Sequence, residues 1–260
     1  METKPATLKT LLDNDNVKAK FASILNDRAN GFMANLAVMA SNSEALRKCD
    51  PMTIVSAAVV SASLDLPLDP NLGFAAVVPY VTKQKDGSFK DVAQFQMMYK
   101  GLIQLAMRSG QYKTIGVTEI FDGQLKSENP LTSEYEFDFA TKTSDKVVGY
   151  AAYFKLINGF EKTVYWPIEK IDAHGKRYSK TYAKGFGKWK DDFNAMARKT
   201  VLKNLLSSWG ILSIEMQKAV KYDQSTVKDV DGTEFEYADA EEVKSFDEND
   251  VTAKRNGATE

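Results

Sequence analysis

Gln96, Lys100, Gln104 and Arg108 recur every four residues through the otherwise apolar stretch AQFQMMYKGLIQLAMRSGQYK, residues 93–113. On a helical wheel at about 100° per residue these four fall within an arc of about 120°, shared only with two methionines. Met98, Tyr99, Leu102, Ile103, Leu105 and Ala106 fall within a separate arc of about 160°. One face can pack while the other offers cations spaced by amides. Two cations eight residues apart stand about 12 Å apart along a helix axis, the span of roughly two phosphates of an extended single strand. The amides of Gln94, Gln96 and Gln104 suit phosphate or sugar oxygens without adding charge. An ordinary solvated helix face would show the same row, so other segments must decide between the two readings.

The run from Trp166 to Lys203 favours phosphate. It holds ten cations, at 170, 176, 177, 180, 184, 188, 190, 198, 199 and 203, against four acids, Glu169, Asp172, Asp191 and Asp192. Aromatic residues interleave with them: Trp166, Tyr178, Tyr182, Phe186, Trp189 and Phe193. Lysine and arginine neutralise phosphates and release their counterions, and a ring beside them stacks on a base of any identity. Trp189 and Phe193 read as core anchors of the helix they begin, whereas Tyr178, Tyr182 and Phe186 are as well placed to stack on a ligand as to pack. Lys199 and Lys203 share a helical stripe and can face one groove. Arg198 points elsewhere on the wheel, where it can pair with a carboxylate. His174, beside Gly175, could touch phosphate but reads first as a neutral surface histidine.

Whole-chain counts agree. The 260 residues carry a formal net charge of -1. That balance divides into a body of net +7 over 1–222 and a tail of net −8 over 223–260. A basic body with an acidic tail is an asymmetry associated with nucleic-acid partners. The tail is poor in large apolar residues and is expected to be disordered, covering the groove or docking a basic partner. One histidine and one cysteine rule out a Cys/His zinc cluster and leave Cys49 with His174 as the sole Cys–His pair, neither in a recognisable nucleophile elbow. No G-x-x-x-x-G-K-[ST] occurs, and GFGKWK at 185–190 lacks its spacing, which argues against a P-loop motor. The enzymatic alternative is a magnesium-dependent nuclease using Asp122, Glu136 or Asp138, acids that form no convincing set. No apolar stretch approaches the roughly 18 residues of a membrane span, the opening residues lack a signal core, and a cytoplasmic setting is expected.

These groups must be positioned by an α+β fold. Residues 7–49 read as helical, with breaks near Asn14 and Asn30. Asp50 and Pro51 read as the cap and first turn of a buried helix to about Ser63. Residues 74–82 read as a strand that Pro79 confines to a sheet edge. Asp86-Gly87 turns it into a return strand over 90–95, from which the amide-and-cation helix leaves directly. Residues 114–121, 134–140, 146–157 and 160–166 read as antiparallel strands. Helices follow over 167–178, 189–208 and 211–221, with a flexible stretch, SKTYAKGFGK, after the first. Three regions result: a helical N-terminal segment over 1–49 expected to make subunit contacts, a DNA-binding annealing core over 50–222, and the tail over 223–260.

The segments LPLDPNLGFAAVVPY, QFQMMYKGLIQLAMRSGQYKTI, AHGKRYSKTY and WKDDFNAMARKTVLKNLL, in this order and spacing, resemble the RecT family of phage-type single-strand annealing recombinases, related to Redβ. YKGLIQLAMRSG is the most specific part. The resemblance implies a protein that is not an enzyme, works without ATP or any other cofactor, binds single-stranded DNA and promotes its annealing to a complementary strand. It implies rings or helical filaments, a partner 5′–3′ exonuclease, a host single-strand-binding protein as a further partner, and a fold distantly like the Rad52 annealing core. Carried onto this chain, the matching positions are Gln96, Lys100 and Arg108, then Arg177 and Lys180, then Arg198, Lys199 and Lys203. Gln94, Tyr99, Gln104, Lys184, Phe186 and Lys188 complete the expected DNA-contacting set. A passive single-strand binder and an RNA-binding module are the alternatives.

Overall fold

In the computed structural model, which describes residues 7–69, 71–83, 87–223, 225–227 and 235–237, the chain runs from short helices through antiparallel sheets and back to helices. Its first helices are α1 (Leu8–Leu12), α2 (Asp15–Leu25), α3 (Ala29–Ser41), α4 (Glu44–Lys48) and α5 (Pro51–Ser63). Four of these five begin where a side-chain oxygen of Thr7, Asn14, Ser43 or Asp50 accepts an N–H of the following turn, satisfying a donor the helix leaves unpaired. The break expected near Asn30 falls at a 3-10 turn, Asn26–Arg28, opened by Asn26 at φ 51°. In α5 the small apolar residues are buried on every side, and the helix packs against α1, α2 and the second strand of the first sheet.

That sheet contains β1 (Ala75–Lys83) and β2 (Phe89–Met97), paired antiparallel with Ala75 opposite Met97 and Pro79 opposite Ala93. β1 is an outer strand, where Pro79, lacking an N–H, costs no ladder bond. Asp86 of the expected hairpin turn lies outside the described residues. Next come α6 (Tyr99–Arg108), β3 (Tyr112–Phe121), β4 (Leu125–Asn129), β5 (Glu134–Phe137), β6 (Val147–Leu156) and β7 (Glu161–Pro167). A second sheet has the order β3-β6-β7, and β4 pairs with β5 as a separate hairpin. Tyr135 and Phe137 of that hairpin set their rings edge-on to Tyr165. β4 was not foreseen, because its exposed LKSEN lacks an apolar alternation.

The remaining elements are α7 (Ile168–Tyr178), α8 (Lys180–Ala183), α9 (Lys188–Asp191), α10 (Phe193–Trp209), α11 (Ile214–Tyr222), β8 (Ser225–Val227) and β9 (Phe235–Tyr237). α10 packs across β6, β7 and β3 and against α6, joining both sheets into one core. One expectation is corrected here. The stretch read as flexible, 179–188, is folded: Ser179 caps α8, Tyr182 stacks on Trp189 at 5.5 Å, and Gly185 and Gly187 take positive φ values between α8 and α9. Within the tail expected to be disordered, 225–227 and 235–237 are described, as β8 and β9, with Ser225 opposite Phe95 of β2. The rest of 224–260 lies outside the described residues. Helices and small antiparallel sheets together make an α+β fold, as the strand and helix patterns predict.

Candidate nucleic-acid interface

Residues of β7, α7, α9 and α10 meet Asp223 at one recess. Trp166 enters it from β7, His174 and Tyr178 from successive turns of α7, and Trp189 from α9; Met196, Lys199, Thr200 and Lys203 form a stripe of α10, and Asp223 follows α11. The space between them is about 300 Å³. Gly175 allows this closure, because a Cβ there would stand 3.0 Å from the rings of both Trp189 and Tyr182.

Asp223 is the electrostatic centre. Its Oδ1 accepts from Lys199 Nζ at 2.9 Å and from the backbone N–H of Met97 at 2.9 Å, and its Oδ2 accepts from Lys203 Nζ at 2.7 Å. The carboxylate is 1% exposed and the Lys199 side chain 3%, whereas Lys203 is 29% exposed and opens to the recess. Burial pushes the Asp223 carboxyl up, but the two ammonium groups outweigh it and hold the group below its ordinary range. Burial also pulls the Lys199 ammonium down, against the pull of Asp223. With one carboxylate between two lysines, the cluster keeps one positive charge in excess.

His174 lies between Trp166 and Tyr178, ring centroids 5.4 and 4.5 Å away. Burial, and then Lys203, Arg177 and Lys170, lower its pKa, so the neutral imidazole is favoured, although the ring is half-buried in the recess and not the surface residue the sequence suggests. Tyr182 donates to Asp172 Oδ1 at 2.6 Å. Burial first, and then that carboxylate, push its hydroxyl up to about 12.

The cations marked in the sequence divide into two groups. Arg108 donates to the carbonyls of Leu64 and Asp65 at 2.8 and 2.7 Å, binding the end of α6 to the turn after α5. Arg198 pairs with Glu119 at 2.8 Å, the carboxylate partner expected for it, and its guanidinium lies 6.0 Å from the half-buried Tyr99 ring. Lys199 and Lys203 are held by Asp223. By contrast, Lys100, Arg177, Lys180, Lys184 and Lys188 are exposed and make no salt bridge among the described residues. Tyr178 and Phe186 are exposed beside them at 52% and 55%, and Arg177 lies over the Tyr178 ring.

The amides behave differently from the row read in the sequence. α6 begins at Tyr99, so Gln96 belongs to β2, and the four-step row is broken. Gln94 and Gln96 are buried at 1% and 2%. Gln96 donates to the Tyr80 hydroxyl at 2.6 Å, and the amide nitrogen of Gln94 finds no hydrogen-bond partner among the described residues. Gln104 is half-buried on α6. Of the recess groups, only Lys199 and Lys203 belong to the set expected from the sequence; Asp223, the Met97 N–H, Trp166, His174, Tyr178, Trp189, Met196 and Thr200 do not. Trp166 was visible as the first ring of the cation run, but Asp223 carried no local signal.

The acids of the nuclease alternative are separated by their local tasks. Asp138 caps a 3-10 turn through the Ala140 N–H, Glu136 accepts from Ser127, and Asp122 lies in the turn after β3. Among the described residues no three His, Cys, Asp or Glu side chains gather closely enough to hold a metal ion, and no helix is long and apolar enough to cross a membrane.

Lys199 and Lys203 of α10 thus stand with rings from β7, α7 and α9 around one recess. A family model described as RecT family matches residues 30–242, and the chain belongs to that family, whose members are phage-type recombination annealing proteins. It is 48% identical to the uncharacterized protein YqaK of Bacillus subtilis (strain 168) over 94% of this chain and 80% of that one. It is 29% identical to protein RecT of Escherichia coli (strain K12) over 72% of this chain and 68% of that one.

Proposed function

We propose that this chain binds single-stranded DNA along its backbone, without ATP, and speeds its pairing with a complementary strand. The observation that carries the reading is the run Arg177, Lys180, Lys184 and Lys188, exposed and unbridged by acids, with the Tyr178 and Phe186 rings among them. Base pairing and stacking supply the free energy of annealing, so no bond chemistry is needed. What opposes the encounter is repulsion between two polyanions and the folded-back state of each strand. A cationic track addresses both, and contacts to the backbone leave the pairing edges free. Lys100 of α6 would extend the track. Rings or filaments of subunits would hold many nucleotides in one register, with the N-terminal helices and the outer edge of β1 as contact surfaces. An exonuclease would supply the strand and a host single-strand-binding protein would hand it over.

The test is fluorescence-monitored annealing of two complementary oligonucleotides without nucleotide cofactor, with electron microscopy of the product. Acceleration over the protein-free rate is expected, with rings or filaments visible. Binding without acceleration would leave a passive single-strand binder, and cleavage of labelled DNA in magnesium would return the nuclease reading.

A further inference from the structure

We propose that Asp223 occupies the place of a DNA backbone phosphate, and that the segment it begins is a strap which the bound strand displaces. The inference rests on the reading of this chain as a single-strand binder and adds a control to that site. Three donors converge on the Asp223 carboxylate: the ammonium groups of Lys199 and Lys203 and the backbone N–H of Met97, all within 2.9 Å. A phosphodiester presents the same features, two unbridged oxygens sharing one negative charge. Substituting one for the other keeps every donor satisfied. It also spares Lys199 the heavy penalty of a buried charge left unpaired.

The site is open on the side a ligand would use. Lys203 faces the recess, whose volume of about 300 Å³ reaches the lower end of small-molecule sites, and the Trp166 and Tyr178 rings stand beside it. Arg177, exposed, adjoins Tyr178 of the recess in sequence and is followed along the chain by the exposed Lys180, Lys184 and Lys188, so a strand held at Arg177 would lie beside the recess.

The strap is built to leave. Asp223 is the first non-helical residue after α11, its N–H still bonded to Ala219 O at 3.0 Å, so the chain can swing from that point without unwinding the helix. Beyond it, β8 has three residues and is joined to β2 through the single register pair Phe95–Ser225. β9, also of three residues, pairs with β8 alone among the described residues. Strands this short, at the margin of a sheet, sit at the low-stability end of a fold. When the carboxylate departs, the two lysines gain a second unit of positive charge to offer the strand.

The experiment uses the full chain. Fluorescence anisotropy with a labelled oligothymidine across a salt series compares the wild type with Asp223→Asn. Affinity should rise about tenfold at moderate salt, and the salt dependence should steepen by roughly one phosphate contact. Hydrogen exchange on the wild type supplies a readout independent of how the variant folds: amides of 225–227 should be protected in the free protein and lose protection when the oligonucleotide is saturating. A folded variant with unchanged or weaker affinity overturns the strap, as do 225–227 amides that are unprotected without DNA or equally protected with it. If the wild type fails to bind the oligonucleotide at all, the single-strand reading falls, and the strap with it.

Discussion

Removing Asp223 should destabilise the protein far more than removing Lys199, although the two form one ion pair. In Lys199→Met the carboxylate keeps Lys203 at 2.7 Å and the Met97 N–H at 2.9 Å, and an ammonium that was 3% exposed no longer needs to be stripped of water. The net loss is about 1–2 kcal/mol, one charged hydrogen bond less part of the desolvation relieved. In Asp223→Ala the same ammonium stays buried with no counterion, beside a second lysine one helical turn away, and Met97 loses its acceptor. Breaking a buried pair from this side costs about 3–5 kcal/mol. For a chain of this size each kcal/mol moves Tm by about 2–4 °C, so the expected drops are roughly 2–8 °C for Lys199→Met and roughly 6–20 °C for Asp223→Ala. Differential scanning calorimetry, with urea midpoints as a second measure, checks the order. The pH dependence adds a signature. The lysines hold the Asp223 carboxyl below its ordinary value of 3.8 in the folded state. Its stabilisation is therefore complete above that unfolded value and is lost as pH falls through the lower folded one. The gap between wild type and Asp223→Ala should be constant from about pH 5 to 8 and narrow below about pH 4. Equal losses for the two variants at neutral pH, or a gap that widens in acid, would refute the reasoning.

Lys100→Ala should leave Tm nearly unmoved, weaken binding alike for all DNA sequences and lower the salt slope by about 1. Arg108→Ala should instead lower stability by about 1–3 kcal/mol in urea unfolding, because it gives up both carbonyls at the end of α5. Phe186→Ala, at a ring 55% exposed, should change stability by less than about 0.5 kcal/mol and weaken oligonucleotide binding by about 1–3 kcal/mol in anisotropy titrations if the ring stacks on a base. Gly101→Ala should destabilise by about 1–3 kcal/mol in urea, since a Cβ there would stand 2.1 Å from the Phe74 carbonyl oxygen and force β1 and α6 apart.

Features read correctly from the sequence are those whose cause is local. Asp50 and Pro51 start α5 by chemistry contained in three residues, and Pro79 marks an outer strand because it lacks a donor. The apolar arc of α6 was legible too, and Leu102, Leu105 and Ala106 are its buried face. The errors have a common origin in partners far along the chain. Gln96 looks like the first member of a helical row, yet β2 continues through it because Ala76 of β1 pairs with it. SKTYAKGFGK looks flexible from its glycines, yet Tyr182 finds Trp189 and Asp172. Asp223 looks like the first residue of an acidic tail, yet it serves Met97, 126 positions away. A carboxylate in a charged tail has the same local appearance whether it is solvated or buried.

The division of the cations has a physical logic. A long side chain that seizes a phosphate loses rotamer freedom at that moment, at a cost of up to about 2 kcal/mol. Lys199 and Lys203 have lost that freedom already, in folding, against Asp223, and their positions are set to within the tolerance of two hydrogen bonds. An anion that takes the carboxylate's place would find donors already aimed, at the expense of first displacing it. Lys180, Lys184 and Lys188 have the opposite character: among the described residues no acid pairs with them, and each must be ordered on contact. The mobile set suits capture and sliding, because exposed charges attract a polyanion at long range and hold no geometry. The fixed set suits register, because only an anion that fits both lysines and the Met97 N–H can replace Asp223. The proposed function, collecting a strand and then holding it extended for pairing, would use both kinds, and α7 to α10 carry them within one stretch of chain.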